Sequence, residues 1–188
     1  VVMEYITAEL KGVIGKQYAE PQGRILMNPF KDVKTSAWYG SYVIDLYNDG
    51  IINGTSATTY APNDTLTWAA ALKLLLVSHG NLKAADATGA DWSKNTIAKA
   101  AELGLVAADL DGAKAISRLE FCQVAAKLNK LAESKTESKF TDCTDGYVMA
   151  LVDAKVISGM TETTFEPAAS LTRAQIAKIL YQLTLIEK

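Results

Sequence analysis

The sequence is poor in the residues that most chemistry needs. It has a single histidine, His79, so a Ser-His-Asp arrangement has only that residue to use. His79 stands beside Gly80 at an expected helix end, where a cation is favoured by the helix dipole alone. Two cysteines, Cys122 and Cys143, are too few for a disulfide scaffold. Cys122 lies in the helical run Phe121-Cys122-Gln123-Val124 and reads as a small buried apolar residue, with a bridge to Cys143 left open. No sign of charge dominates: the net charge is −2, which gives no electrostatic case for nucleic acid or an anionic membrane. No apolar run is long enough to span a bilayer. Paired-cysteine metal sites and Gly-rich phosphate loops are missing, so no cofactor and no metal is expected. Asp109-Leu110-Asp111-Gly112 lacks the remaining ligands of a calcium loop and reads as a turn. The opening Val1-Val2 has no basic stretch or signal-type apolar segment, as expected of a mature or excised piece.

What is present is a repeated helix start. Leu171-Thr172-Arg173-Ala174-Gln175 is echoed by Ile116-Ser117-Arg118-Leu119-Glu120 and by Leu66-Thr67-Trp68-Ala69-Ala70. Each has an apolar residue, a hydroxyl, and then a run with helical periodicity. Two of the three add Glu or Gln three residues after the hydroxyl. That is the capping-box pattern, in which two backbone N–H groups are satisfied reciprocally. Arginine at the first helical position is mildly disfavoured by the dipole. Arg118 and Arg173 stand there nonetheless, which suggests that each meets an anion. Helix N-terminal N–H groups and a guanidinium together make a small carboxylate or phosphate site.

Around these starts the chain is periodic. Residues 1–20 carry Met3, Ile6, Leu10, Val13 and Ile14 at helical spacing, and 21–29 read as a connector broken by Pro21 and Pro29. From Phe30 onward, three units of about fifty residues follow, over residues 30–80, 88–132 and 140–187. In the first, Trp38 is followed by Val43, Leu46 and Tyr47 on one helical face. Gly50 closes that helix, Thr67 opens the next with a Leu72, Leu75, Leu76 stripe, and Gly80 stops it. In the second, Trp92 and Gly104 stand in for Trp38 and Gly50, and Phe121, Val124, Leu128 and Leu131 form the stripe. In the third, Tyr147, Val148, Leu151 and Val152 precede a stripe of Ile176, Ile179, Leu180 and Leu183. One helix-loop-helix unit cannot bury its apolar face alone, whereas three packed together can. The expectation is an all-α domain over 30–188, preceded by an N-terminal helix and connector over 1–29. The helices opened by Thr67, Ser117 and Thr172 would share a core, and the loops carrying Pro62 and Pro167 would splay outward.

The residues that recur carry a family resemblance. Phe30-Lys31-Asp32-Val33, Gly50-Ile51-Ile52-Asn53-Gly54 and Tyr60-Ala61-Pro62 appear in the first unit. Phe140-Thr141-Asp142, Val156-Ile157-Ser158-Gly159, Phe165-Glu166-Pro167 and Thr172-Arg173-Ala174-Gln175 appear in the third. With Trp92, Gly104 and Ser117-Arg118-Leu119-Glu120 in the second, the chain resembles three tandem S-layer homology repeats. The resemblance implies a pseudo-threefold arrangement of helix-loop-helix repeats around a shared helical core, with grooves between repeats. It also implies a secreted, non-catalytic module at the cell wall or surface layer. The partner it implies is an acidic, pyruvylated secondary cell-wall polysaccharide, or in some outer-membraned bacteria modified peptidoglycan.

Carried over residue by residue, Arg118 and Arg173 would be carboxylate ligands, with Ser117 and Thr172 capping and assisting. Trp38 and Trp92 would pack on a pyranose face or anchor helices. Asp32 and Asp142 would accept from sugar hydroxyls or brace a turn. Gly54 and Gly159 would form turns or let backbone approach the ligand. The first unit departs from the pattern, with Trp68 in place of Arg and Ala70 in place of Glu, so at most two functional grooves are expected. The competing class is a protein-interaction or self-assembly module that uses the same grooves for a peptide, which would show a contiguous exposed apolar patch.

Overall fold

The structure, a computed structural model, describes residues 25–84 and 86–186. The helix expected over 1–20 lies outside these residues, as does the beginning of the connector. Among the described residues the architecture is all-α. The helices are α1 (Gly40–Asn48), α2 (Trp68–Ser78), α3 (Trp92–Glu102), α4 (Arg118–Leu128), α5 (Gly146–Asp153) and α6 (Arg173–Thr184). None is long and apolar enough to cross a membrane. The chain divides into two compact units, Val1–Pro62 and Asn63–Lys188, so the division falls within the first sequence repeat.

In the first unit, α1 buries Val43, Ile44 and Leu46, and Leu26 packs with Ile44. Asn48 clasps the strand-like lead-in from both sides: its amide donates to the Met27 carbonyl at 2.9 Å, and the Met27 N–H donates to its Oδ1 at 3.0 Å. Phe30 meets Tyr47 edge-on at 5.1 Å and Tyr60 at 5.5 Å. Trp38 precedes the helix, which begins at Gly40.

In the second unit α2 packs against α3 and α6, and α4 packs against α5. Most of the expected stripes face inward: Leu72, Leu75 and Leu76 on α2, Phe121 and Val124 on α4, and Ile176, Ile179, Leu180 and Leu183 on α6 are buried, whereas Leu128 is only half-buried and Leu131, also half-buried, lies past the end of α4. Each such side chain removed from water contributes about 1.5–3 kcal/mol.

The helix ends follow one rule. Gly50, Gly80 and Gly104 take left-handed conformations just past α1, α2 and α3. Lys130 and Lys155 do the same past α4 and α5, at φ 56° and 60°. In each case the next N–H reaches back into the last turn, as Leu105 does to the Ala100 carbonyl at 2.9 Å and Val156 to the Leu151 carbonyl at 2.9 Å.

The helix starts of α2, α4 and α6 are tied to one another. The first helical N–H of each donates to a carbonyl in the segment that precedes another: Trp68 to Lys114 at 2.8 Å, Arg118 to Ala169 at 2.8 Å, and Arg173 to Asp64 at 2.9 Å. Isolated antiparallel bridges accompany the bonds at Thr65–Thr172, Thr67–Ala115 and Ser117–Ser170. Leu66, Ile116 and Leu171, each just before a capping hydroxyl, are buried in the same place. The starts of these three helices are thus pinned by a closed circuit of backbone bonds, which no local pattern announces.

Two expectations are corrected here. The loops ending in Pro62 and Pro167 do not splay outward: Tyr60 and Phe165 turn in and are almost wholly buried. The helix N-termini offer few free donors, because the first N–H is taken as described. The second is also taken in α2 and α4, by the Gly112 and Pro167 carbonyls at 3.1 and 3.0 Å.

Candidate functional site

The third orphan donor of each helix start goes to the capping hydroxyl. Ser117 Oγ accepts from the Glu120 N–H at 3.3 Å, and Glu120 Oε2 accepts in return from the Ser117 N–H at 2.8 Å. Thr172 and Gln175 make the same exchange at 3.3 and 2.9 Å. Thr67 accepts from the Ala70 N–H at 3.4 Å, and Ala70 has nothing to return. Ser117 and Thr172 are therefore fully engaged as caps. What they deliver to the neighbourhood is position, since each fixes the residue after it.

That residue in α4 is Arg118, and its surroundings are unusual. Only 6% of it is exposed. The guanidinium lies over the ring of Phe165, 4.5 Å from the centroid, and Nη2 donates to the Ser158 carbonyl at 2.7 Å. Buried Nε has no partner. No carboxylate pairs with it among the described residues. Burial lowers its pKa, opposed by the nearby Cys122 thiol, Glu166 and the Cys143 thiol. A guanidinium does not shed its proton in a protein, so the charge stays, buried and incompletely satisfied. Both thiols are free and buried. Burial pushes Cys122 up to about 12, which makes it an inert packing residue. Arg173, at the same position in α6, is half-buried.

Phe165 is held by a second device. Asp142 accepts through Oδ1 from the Phe165 N–H and through Oδ2 from the Glu166 N–H, both at 2.8 Å. Asp32 repeats this in the first unit, with Tyr60 at 2.9 Å and Ala61 at 2.7 Å. The middle residue of each aromatic-x-Pro piece, Ala61 or Glu166, is left-handed. The carboxylate supplies the acceptors that this kinked backbone would otherwise lack. The structure thus gives both aspartates the turn-bracing role.

The two N–H donors hold the Asp142 carboxyl below the usual carboxylate range. A depressed folded pKa means that the clamp is fully present above the ordinary carboxylate pKa and is lost as pH falls through the lower folded value. Asp142→Asn is expected to unfold at lower urea than the parent at pH 7. The gap should close on acidification below about pH 4. Equal urea midpoints for the two proteins at pH 7 would remove the clamp from consideration.

Gly159 and Gly54 sit under this construction. A Cβ on Gly159 would lie 2.6 Å from Phe140 Cε1 and against the Thr161 and Thr164 carbonyls. One on Gly54 would meet Phe30 Cε1 at 2.6 Å. Both glycines make room for the phenylalanine of their own repeat. Trp38 is 57% exposed and stands edge-on to Tyr39 at 5.3 Å. Trp92 is half-buried, with Lys73 Nζ 5.3 Å above its ring.

In the second unit, then, Arg118, Ser117, Asp142 and Gly159 converge through Phe165, Phe140 and the Ser158 carbonyl. Sequence reasoning missed Phe165 as the platform and Ser158 as the acceptor. The signal available was the repeated aromatic-x-Pro piece.

Comparison with known proteins fits this picture. A 28% identity over 180 residues links the chain to an endoglucanase of Bacillus sp. (strain KSM-635), covering 82% of this chain and 18% of that protein. The surface-layer 125 kDa protein of Lysinibacillus sphaericus is 39% identical over 84 residues, covering 41% of this chain and 7% of its own. Exoglucanase XynX of Acetivibrio thermocellus is 26% identical over 174 residues, covering 82% and 16%. The chain spans less than a fifth of the length of each of these relatives. Residues 29–71 and 141–177 match the family model of the S-layer homology domain, and these segments hold both aspartate clamps, both glycine seats and the Thr172-Arg173 helix start.

Proposed function

We propose that this chain is a non-catalytic anchoring module that holds a longer protein at the cell surface. It does so by binding an acidic secondary cell-wall polysaccharide. The binding groups are guanidinium groups at the starts of α4 and α6, and the acidic group is of the kind a pyruvate ketal supplies. The three repeats form a pseudo-threefold set, of which the second and third offer a cation and the first, with Trp68, does not.

The observation that carries this reading is Arg118. Burying an ion costs several kcal/mol unless it is paired and fully hydrogen-bonded. Arg118 has an aromatic face, one carbonyl and an orphan Nε. A ligand carboxylate at the small exposed edge of the guanidinium would supply the missing counter-charge. Arg173 is the more accessible of the two and would make first contact. The exposed ring of Trp38 offers a face for a pyranose.

The test is retention by purified cell walls. Arg118→Ala combined with Arg173→Ala is expected to abolish pull-down of a domain that circular dichroism shows to be folded. Each charge-assisted hydrogen bond to the ligand is worth about 1.5–3 kcal/mol. Calorimetry with wall polysaccharide stripped of its acidic substituent should show the same loss for the parent chain. Undiminished retention of the folded double variant would overturn the proposal.

A further inference from the structure

A second cationic feature adjoins the Arg118 site through Ser158. A cavity of about 370 Å³ is lined by Lys139, Lys155 and Lys178, with Ser158 and Gln182 beside them and buried Val156 in its floor. No carboxylate lines it. None of the three lysines forms an ion pair among the described residues, whereas half-buried Lys99 is paired with Glu102 at 2.8 Å. Lys155 has a local reason to be where it is, since a cation is favoured near the C-terminal end of α5. Lys139, ahead of α5, has its Nζ 5.4 Å above the Phe140 ring, a contact that leaves its charge unpaired, and Lys178, within α6, has no such local reason. Three like charges around one opening repel one another, in a chain whose net charge is −2. An arrangement of this kind is relieved by a multiply charged anion.

We propose that this cavity binds a phosphomonoester carried on a sugar. A carboxylate brings one charge and leaves two ammonium groups uncompensated. A phosphomonoester brings about −1.5 to −2 at pH 7 and three acceptor oxygens, and lysine serves as its point-charge ligand. Ser158 and Gln182 supply a hydroxyl and an amide for sugar hydroxyls. The volume suits a phosphorylated monosaccharide, at the small end of ligand cavities of about 300–1,000 Å³. Ser158 joins the two features: it lines this cavity, and its carbonyl holds Arg118.

The experiment is an amide-resolved titration of the whole chain with inorganic pyrophosphate and with glucose 1-phosphate, using acetate as the control. Saturable shifts are expected around residues 155–158 and 178–182. Affinity should fall about tenfold for each of Lys139→Gln, Lys155→Gln and Lys178→Gln, since about 1.4 kcal/mol corresponds to a factor of ten. All three are exposed, so the variants should fold. The Arg173→Ala variant, which leaves the Arg118–Ser158 contact in place, should retain the response while wall retention falls, which separates this site from the anchoring reading. A phosphorylated wall glycan that binds more tightly than glucose 1-phosphate identifies a polymer substituent as the source. Equal affinity identifies a free metabolite. No saturation at 10 mM pyrophosphate (about tenfold above a millimolar Kd), an equal response to acetate, or survival of binding in the triple lysine variant would each overturn the proposal.

Discussion

Arg118→Met is expected to lower retention on acidic wall polysaccharide at least tenfold while leaving the urea midpoint unchanged or higher. Arginine costs stability where it sits. A buried cation with no carboxylate paired to it loses several kcal/mol of solvation, which the nearby Glu166 charge offsets only in part. The gains against this are one hydrogen bond to a carbonyl, about 1.5–3 kcal/mol with a charged donor, and a desolvated interaction with the Phe165 face, about 2 kcal/mol. Methionine fills a similar unbranched space, packs favourably on the ring and removes the solvation cost. The Ser158 carbonyl is not stranded by the change, because Ser158 is exposed and water can take the bond. If Arg118 served only to brace the loop, the same change would cost about 3 kcal/mol or more, as removal of one partner of a buried charge pair does. Parallel urea titration and wall retention separate the two. A midpoint that drops together with retention makes Arg118 a brace and ends its candidacy as a ligand.

The parts of this fold that were readable from sequence are those decided within one turn of helix. The hydroxyl caps at Thr67, Ser117 and Thr172 act over three residues, and the stripe on α6 follows from spacing alone. Gly50, Gly80 and Gly104 read as helix ends because glycine pays no Cβ penalty in the left-handed region. Lys130 and Lys155 occupy the same position and were unreadable, since nothing in a lysine advertises it. The site failed to read for a different reason. Arginine at a first helical position looks exposed, and Arg118 becomes buried only because Phe165 arrives from a distant loop. That loop turns inward because Asp142 offers two acceptors to it. The donors at the helix starts looked available for an anion until other segments of the chain brought carbonyls to them. Trp38 and Trp92 were matched by position, yet one is largely exposed and the other half-buried under Lys73.

Gly159→Ala is expected to cost about 2–4 kcal/mol, from overpacking together with displacement of the aromatic pair. It should lower the thermal midpoint by about 6–12 °C. The added methyl would have to enter a space bounded by the Thr161 and Thr164 carbonyls and by Phe140 Cε1 at 2.6 Å. Retreat of the carbonyls is blocked: the Thr164 oxygen already accepts from the Met160 N–H at 2.9 Å and the Thr161 N–H at 3.3 Å. The ring must therefore move, and Phe140 rests on Phe165 at a centroid distance of 5.6 Å. Phe165 is the surface on which the Arg118 guanidinium lies, so wall retention should fall along with stability. Gly104→Ala is the control. Its Cβ would meet nothing within 4 Å, and its φ of +70° makes the cost one of backbone alone, about 1 kcal/mol. Retention should be untouched. Equal midpoints for the two variants would mean that the glycine seat relaxes freely, and the path from Gly159 through Phe140 and Phe165 to Arg118 would then not be rigid enough to set the guanidinium in place.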